Sequence, residues 1–313
     1  MPFDVTHASI GAFFRGHGNT AKSGLAYMLL SCVLFSAMGA FVNAVQLREP
    51  EVSSFACSFV RLLVNLGILV VSAGFARDLR SLTGDGRVSL WLRGLFGSIS
   101  LVTSFAAIKA IGIGESSFLH SSNAFFVALL TPWILGQRNP RVAWIAIAGA
   151  MLGLFVLLQP RFDDVYPWGR ISAVISGLFA ALAYLMIARA GTTNSPRAVI
   201  FYFCIVGLAL HSILFLFVPV SWPQHTASWI QLLGAGIAAS VAQVFLTKSW
   251  QLAPPALNAA VSYTGPVLSM LVSVALFNNR PDVLGWIGVV IILVCGVWLP
   301  FAKIGRTRPA WPY

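Results

Sequence analysis

Residues 114–130 read GESSFLHSSNAFFVALL. The second half of this stretch could dissolve in lipid, whereas the first half packs Glu115, Ser116, Ser117, His120, Ser121, Ser122 and Asn123 together. Ser116, His120 and Asn123 recur at i, i+4 and i+7, so one helix face would carry all three. Hydroxyl, imidazole and amide groups on one face can hydrogen-bond a polar solute. An imidazole, with a reference pKa of about 6.5, can also carry a proton. A lone buried histidine can equally stay neutral and hydrogen-bonded, so both roles are open for His120. Two more stripes follow: Ser240, Gln243, Thr247 and Gln251, and then Asn258, Ser262, Ser269 and Ser273. A single Ser or Thr in an apolar helix usually bonds back to its own backbone. Three aligned stripes point instead to a water-accessible binding cavity. Tyr184 and Tyr263 would either stack on a planar substrate or simply pack.

Arg61 lies well inside the apolar run 53–75. A charge at such depth costs roughly 2.5–3.5 kcal/mol on insertion scales, so it needs water or a partner. It is either an anchor for a substrate carboxylate or a structural bridge to carbonyls or to an acid near a helix end. Lys109 and Glu115 flank a short turn and read as a surface ion pair. Lys248 reads as a snorkelling side chain. His211 has no polar neighbour at helical spacing except Ser212 beside it, and reads as packing. Cys32, Cys57, Cys204 and Cys295 sit in apolar runs without CxxC spacing, as small packing residues. There is no P-loop, H-E-x-x-H or G-x-S-x-G pattern, and no carboxylate deep in an apolar run. ATP-driven transport, a metal site, a cofactor and a paired acidic site for cations are therefore not expected.

The elements that must position these groups follow from composition. Of the 313 residues 58% are hydrophobic and only 9% charged, too few charges to cover a soluble globule of this size. Ten runs reach the roughly 20 residues needed to cross a hydrocarbon core: 23–45, 53–75, 88–109, 115–136, 141–159, 168–189, 197–219, 227–250, 256–277 and 283–303. Residues 1–22 lack a signal-peptide pattern, so the first run reads as an uncleaved anchor. The net charge of +11 does not point to nucleic acid, because the bases are scattered singly between apolar runs. With the N-terminus inside, fourteen of the 20 Lys and Arg fall on the cytoplasmic side, Arg93 among them. Arg48, Lys109, Arg161, Arg170 and Arg280 then fall outside. Both termini are expected in the cytoplasm.

Shifted by 142 residues, GQRNPRVAWIAIAGAMLG falls on NNRPDVLGWIGVVIILVC, so that Arg138 meets Arg280 and Trp144 meets Trp286. Ser116 then falls on Asn258, and His120 on Ser262. Five spans per half would make the second half enter the membrane upside down, a transporter signature. The stretches FVRLLVNLGILV, LRGLFGSISLVTSFAAIKAIGIGESSFLHSSNAFFVALL and SWQLAPPALNAAVSYTGPVLSMLVSVALFNNRPDVLGWIGVVIILVCGVWL carry a resemblance to a known group. Over residues 23–303 the chain resembles the ten-span EamA-type branch of the drug/metabolite transporter superfamily. It departs from the family habit of a Gly-Glu pair ending spans four and nine, reading Gly136-Gln137 and Asn278-Asn279 there. Asn123-Ala124 stands where the second half has Gly265-Pro266.

The expectation is an all-α integral membrane protein of the bacterial inner membrane. A cytoplasmic segment 1–22 precedes two inverted five-helix repeats, 23–159 and 168–303, and a cytoplasmic tail 304–313 follows. The resemblance implies a secondary transporter, by family habit an exporter, of a small polar organic metabolite such as an amino acid or an amino-acid-derived metallophore. Arg61 and His120 favour an anionic or zwitterionic one. The alternatives are a broad multidrug exporter, an uptake carrier for a vitamin or an S-adenosylmethionine-like metabolite, and, remotely, a membrane-embedded enzyme. The candidate substrate-binding residues are Arg61, Ser116, His120, Asn123, Tyr184, Gln243, Asn258, Ser262 and Tyr263. The expected partners are the substrate and the lipid bilayer. A coupling proton or an exchange mechanism is open. So is monomer or homodimer, since Gly149-x-x-x-Gly153 would serve internal packing or a dimer contact.

Overall fold

The computed structural model describes residues 7–160, 167–277 and 281–303, with side chains from Thr20 onward except those of Ile113, Ala302 and Lys303. The expected tail 304–313, the outer charges Arg161 and Arg280, and the Asn278-Asn279 pair lie outside the described residues. Every described regular element is a helix. Ten are long and apolar enough to cross a membrane: Thr20–Arg48, Ser54–Phe75, Val88–Gly112, Gly114–Leu135, Arg141–Leu158, Pro167–Ala190, Pro196–Leu214, Thr226–Leu252, Pro255–Phe277 and Val283–Phe301. The chain is an all-α multi-pass membrane protein. Span seven stops at Leu214, short of the expected 219, and the chain continues in turns through Phe217.

Local chemistry sets most boundaries. The helix α1 (His7–Arg48) is followed by α2 (Ser54–Phe75), where the Ser53 hydroxyl accepts from the Phe55 amide at 3.2 Å. A short turn of helix, α3 (Arg80–Thr83), leads into α4 (Val88–His120). Gly112 bends α4 with φ 78° and ψ 168°, a conformation closed to side-chain-bearing residues, and this bend divides span three from span four. After α5 (Asn123–Leu135), Gly136 takes the left-handed conformation that ends helices. The helix α6 (Arg141–Leu158) closes the first half. In the second half, α8 (Pro196–Leu214) follows α7 (Pro167–Ala190) and begins with proline at its first position. Next come α9 (Thr226–Leu252), α10 (Pro255–Ser262) and α11 (Thr264–Phe277). Asp282 caps α12 (Val283–Ile292) by accepting from the Gly285 amide at 2.8 Å. A wide π-helical turn, Leu293–Trp298, joins α12 to α13 (Leu299–Lys303).

The two halves pack around each other rather than side by side. Span one lies on span eight as span three lies on span six. Span one also meets span nine as span four meets span six, and span two meets span eight as span three meets span seven. Each of these pairs maps onto its counterpart when five is added to or subtracted from the span number. Spans five and ten pack directly, with glycines at the crossing: a Cβ on Gly153 would lie 2.9 Å from the Gly288 carbonyl oxygen. The Gly149/Gly153 pair is thus used inside the chain. The outer surface is apolar, with Leu63, Val71, Ile145, Leu233 and Val290 all exposed, as a surface solvated by lipid requires.

Candidate functional site

Spans four and nine are both broken, each within its first half. The helix α4 ends at His120 and α5 starts at Asn123, while α10 ends at Ser262 and α11 starts at Thr264. A broken helix inside a bilayer frees backbone groups that must find partners. Here the two breaks serve each other. The Ser121 carbonyl, which receives a 3.3 Å bond from the Ala124 amide, also accepts from the Tyr263 hydroxyl at 2.8 Å. Tyr263 is buried, and its bond ties the first half of the chain to the second.

A cavity of about 700 Å³ reaches these breaks from the end of the bundle where spans three and four, five and six, and nine and ten connect. Gly114, Leu158 and Pro281 stand at its mouth. Ser117, Ser121, Asn123, Ser262, Ser269 and Ser273 supply much of its polar wall. Most of these polar groups already hold partners. Ser121 Oγ donates to the Ser117 carbonyl at 2.7 Å, and Ser262 Oγ to Ala259 at 2.7 Å. Asn123 Nδ2 donates to His120 at 3.0 Å, and Ser269 Oγ meets Ser36 Oγ at 3.1 Å.

Ser104, His120 and Tyr184 also line a second, narrower chamber of about 260 Å³. Its wall adds Arg61, Arg93, Ser100, Phe203 and Gln243. Arg93 is only 3% exposed, and its guanidinium lies 4.3 Å from the centre of the Phe203 ring. Its Nε has no hydrogen-bond partner. Arg61 is half-buried, and its Nη1 reaches the Met38 sulfur at 3.7 Å, a weak acceptor. Gln243 is buried, with Nε2 unpaired. Among the described residues neither arginine forms an ion pair.

His120 Nδ1 lies 2.7 Å from Ser176 Oγ, which donates to the Ala173 carbonyl at 2.8 Å. A hydroxyl has one hydrogen. With it on Ala173, Ser176 must accept from Nδ1–H, and this assignment leaves Nε2 as an acceptor. Ser176 is fully buried and lines neither cavity, so the Ser–His pair fixes the ring instead of presenting a nucleophile. Tyr184 stacks on Trp250, with centroids 4.6 Å apart and planes at 10°, while its edge lines both cavities.

Seven of the nine sequence-derived candidates therefore line one or both of these two adjoining cavities: Arg61, His120, Asn123, Tyr184, Gln243, Ser262 and Tyr263. Ser116 and Asn258 do not. Both are buried outside the cavity walls, and Asn258 Oδ1 accepts from Ser249 at 2.5 Å. The cavity-facing row in span four is Gly114, Ser117, His120 and Ser121, one position round the helix from Ser116. The stripe on span eight also fails apart from Gln243. Ser240 and Thr247 bond back to Gly236 and Gln243, and Gln251 reaches the Asn194 carbonyl. Glu115 pairs with Arg170 at 2.6 Å, not with Lys109, because span six places the guanidinium against it. His211 is buried, with Nδ1 2.8 Å from the Gly207 carbonyl.

Arg93 is the principal residue that sequence reading misplaced. Counted there among the charges of the cytoplasmic side, it is the sixth residue of α4 and its side chain is buried in the bundle. Its spacing from Gly97 carried a signal, since one turn on, at i+4, the helix has no side chain to block the guanidinium.

At the end of the bundle away from the cavity mouth, two connections are tied together. Asp85 accepts from Asn194 Nδ2 at 2.8 Å and Thr193 Oγ1 at 2.7 Å, joining the α3–α4 and α7–α8 connections. At the cavity mouth Gln159 Nε2 donates to both Asp282 oxygens, at 2.8 and 2.9 Å.

Comparison with known proteins places this geometry. The EamA-like transporter family matches residues 22–159 and again 167–300. The pseudopaline exporter CntI of Pseudomonas aeruginosa is 28% identical over 291 residues, covering 91% of this chain and 98% of that protein. Human solute carrier family 35 member G1 is 25% identical, covering 82% of this chain and 73% of its own. One crystal structure superposes with a TM-score of 0.75 at 20% identity, over 88% of this chain and 95% of the other, a likeness of fold.

Proposed function

The chain belongs to the EamA-like transporter family within the drug/metabolite transporter superfamily, and from that premise we propose that it is a secondary transporter exporting a small polar organic metabolite. The substrate class is an amino acid or an amino-acid-derived compound such as a metallophore, anionic or zwitterionic. The observation that carries this reading is the polar-walled cavity inside an apolar bundle, which ends where spans four and nine are both broken. Together its two parts fall in the size range of small-molecule sites. The pseudopaline exporter among the relatives supports the direction and the solute class. A multidrug reading is disfavoured by unpaired arginines where a cationic drug would need an acid. An enzyme is disfavoured because Ser176 is buried behind His120, and among the described residues no acid orients the ring.

In this reading the two halves, 23–159 and 168–303, are inverted copies. The paired packing of spans and the double match to one family support it. Both termini face the cytoplasm of a bacterial inner membrane. The mouth at Gly114, Leu158 and Pro281 then faces outward, and the Asp85–Asn194–Thr193 cluster closes the inner side. Rocking of one half against the other would open the site alternately to each side.

Two measurements test this. Purified protein in proteoliposomes should exchange labelled amino acids or their derivatives across the bilayer; a folded protein that moves none of them would sink the transporter reading. Reporter fusions at Gly84, Asn139 and Asn194 should report cytoplasm, and a fusion at Gln224 the outside. A consistent reversal would overturn the orientation and leave transport standing.

A further inference from the structure

The chamber beside His120 holds two cations and no anion. Arg61 comes from span two and Arg93 from span three, yet both side chains line the same 260 Å³ space. The described acids are Glu49, Glu51, Asp78, Asp85, Glu115 and Asp282. None of them lines the chamber. The three other acids of the sequence, Asp4, Asp163 and Asp164, fall outside every apolar run. Fixed dipoles do not fill the gap either. Arg93 Nε and Gln243 Nε2 are buried donors with nothing to donate to, and Arg61 reaches only a thioether. Ser100 and Ser104 bring hydroxyls of span three to the chamber, yet neither Arg93 Nε nor Gln243 Nε2 is bonded to them. Buried donors are normally satisfied, so two left open beside a guanidinium held only by a thioether mark a place for an acceptor.

Resting on the transporter reading, we infer that the transported solute carries two acidic groups, one seated on Arg61 and one on Arg93. A single carboxylate would leave the other guanidinium uncompensated in a low-dielectric chamber, where an unpaired charge is costly. Two carboxylates answer both cations, and the planar guanidinium suits each of them. Gln243 Nε2 supplies a further neutral donor. His120 lines the chamber and the wide cavity alike, on the side where the two adjoin. The acidic end of the solute fills the chamber, and its remainder extends into the wide cavity, whose hydroxyls are already bonded and accept varied groups.

The test uses matched solutes that differ by one carboxylate: glutamate against glutamine, aspartate against asparagine, and γ-glutamylglycine against its C-terminal amide. Exchange is measured with the full-length protein in proteoliposomes. The acid of each pair should be preferred by roughly ten- to a hundredfold, the effect of one charge-assisted contact. Arg93→Gln should collapse that preference, read as the acid-to-amide ratio of the folded protein, and Arg93→Lys should restore part of it. A purely structural arginine would lower both members of a pair together. Equal or better transport of the amides by the wild-type protein would overturn the two-acid assignment and leave the transporter reading intact. A folded protein that moves neither member of any pair would overturn both. Should Arg93→Gln fail to insert, the wild-type acid-to-amide ratio still decides the matter.

Discussion

The wide cavity and the arginine chamber share three residues, Ser104, His120 and Tyr184, and differ in how their polar groups are satisfied. In the wide cavity Ser121, Ser262, Asn123 and Tyr263 all hold carbonyl partners within the protein. In the chamber Arg93 Nε and Gln243 Nε2 hold none, and Arg61 holds only a sulfur. A satisfied group must give up a bond to bind a solute, so it gains little. An unsatisfied buried group regains its full desolvation cost when a partner arrives. In the proposed reading the wide cavity gives passage and the chamber selectivity.

The largest break in that contrast comes at Arg61. Arg61→Lys keeps the charge and loses the planar fork, whereas Arg61→Gln loses both. Apparent affinity should fall in the order Arg, Lys, Gln, by roughly ten- to a hundredfold for glutamine. Transport normalised to folded protein measures it. Full activity in a well-folded Arg61→Gln protein would remove this residue from the site.

Tyr263→Phe probes the tie between the two helix breaks. It deletes one neutral hydrogen bond while keeping the ring, which should cost about 1 kcal/mol of stability. Denaturation in detergent reads the loss, and an unchanged midpoint would mean that the Ser121 carbonyl finds another donor.

Ser262→Ala sharpens the comparison from the satisfied side. Its hydroxyl is spent on Ala259, so apparent affinity should weaken by no more than about threefold. A tenfold loss would mean that the wide cavity binds as selectively as the chamber.

The smallest effect lies at the cavity mouth. The Gln159 side-chain amide, and after it the Gly285 amide, hold the Asp282 carboxyl below its ordinary value. A carboxyl lowered in the folded state adds stability that is fully present above the unfolded value of about 3.9. That stability is lost as the pH falls through the folded value. Thermal stability of the wild type should therefore drop more steeply below about pH 4 than that of Asp282→Asn. Parallel curves would show that this link contributes nothing at the mouth.

Much of the site was legible because its residues are the wrong chemistry for lipid. Arg61, His120, Asn123 and Gln243 stand out in apolar runs wherever the helices later turn. Their facing was less legible. Residues three and four apart are both near neighbours on a helix, so Ser116 and Ser117 each made a plausible row with His120. Only the packing of span four against its neighbours chose Ser117 for the cavity and buried Ser116. Arg93 was hidden for a different reason. Near a span end, a charge that snorkels outward and one that turns inward look alike in sequence.

Sequence by itself determined what the hydrophobic effect and backbone satisfaction dictate: helices, ten of them long enough to cross a membrane, and polar groups concentrated in spans four, eight and nine. Those are local properties, readable from one run at a time. Tertiary structure decided which polar groups are spent and which remain free. That depends on the carbonyls and rings which distant spans bring within about 3 Å. The Tyr263 bond to Ser121 and the two arginines facing one chamber each join residues far apart in the chain. No helical period encodes them, because they arise only when the two halves close around each other.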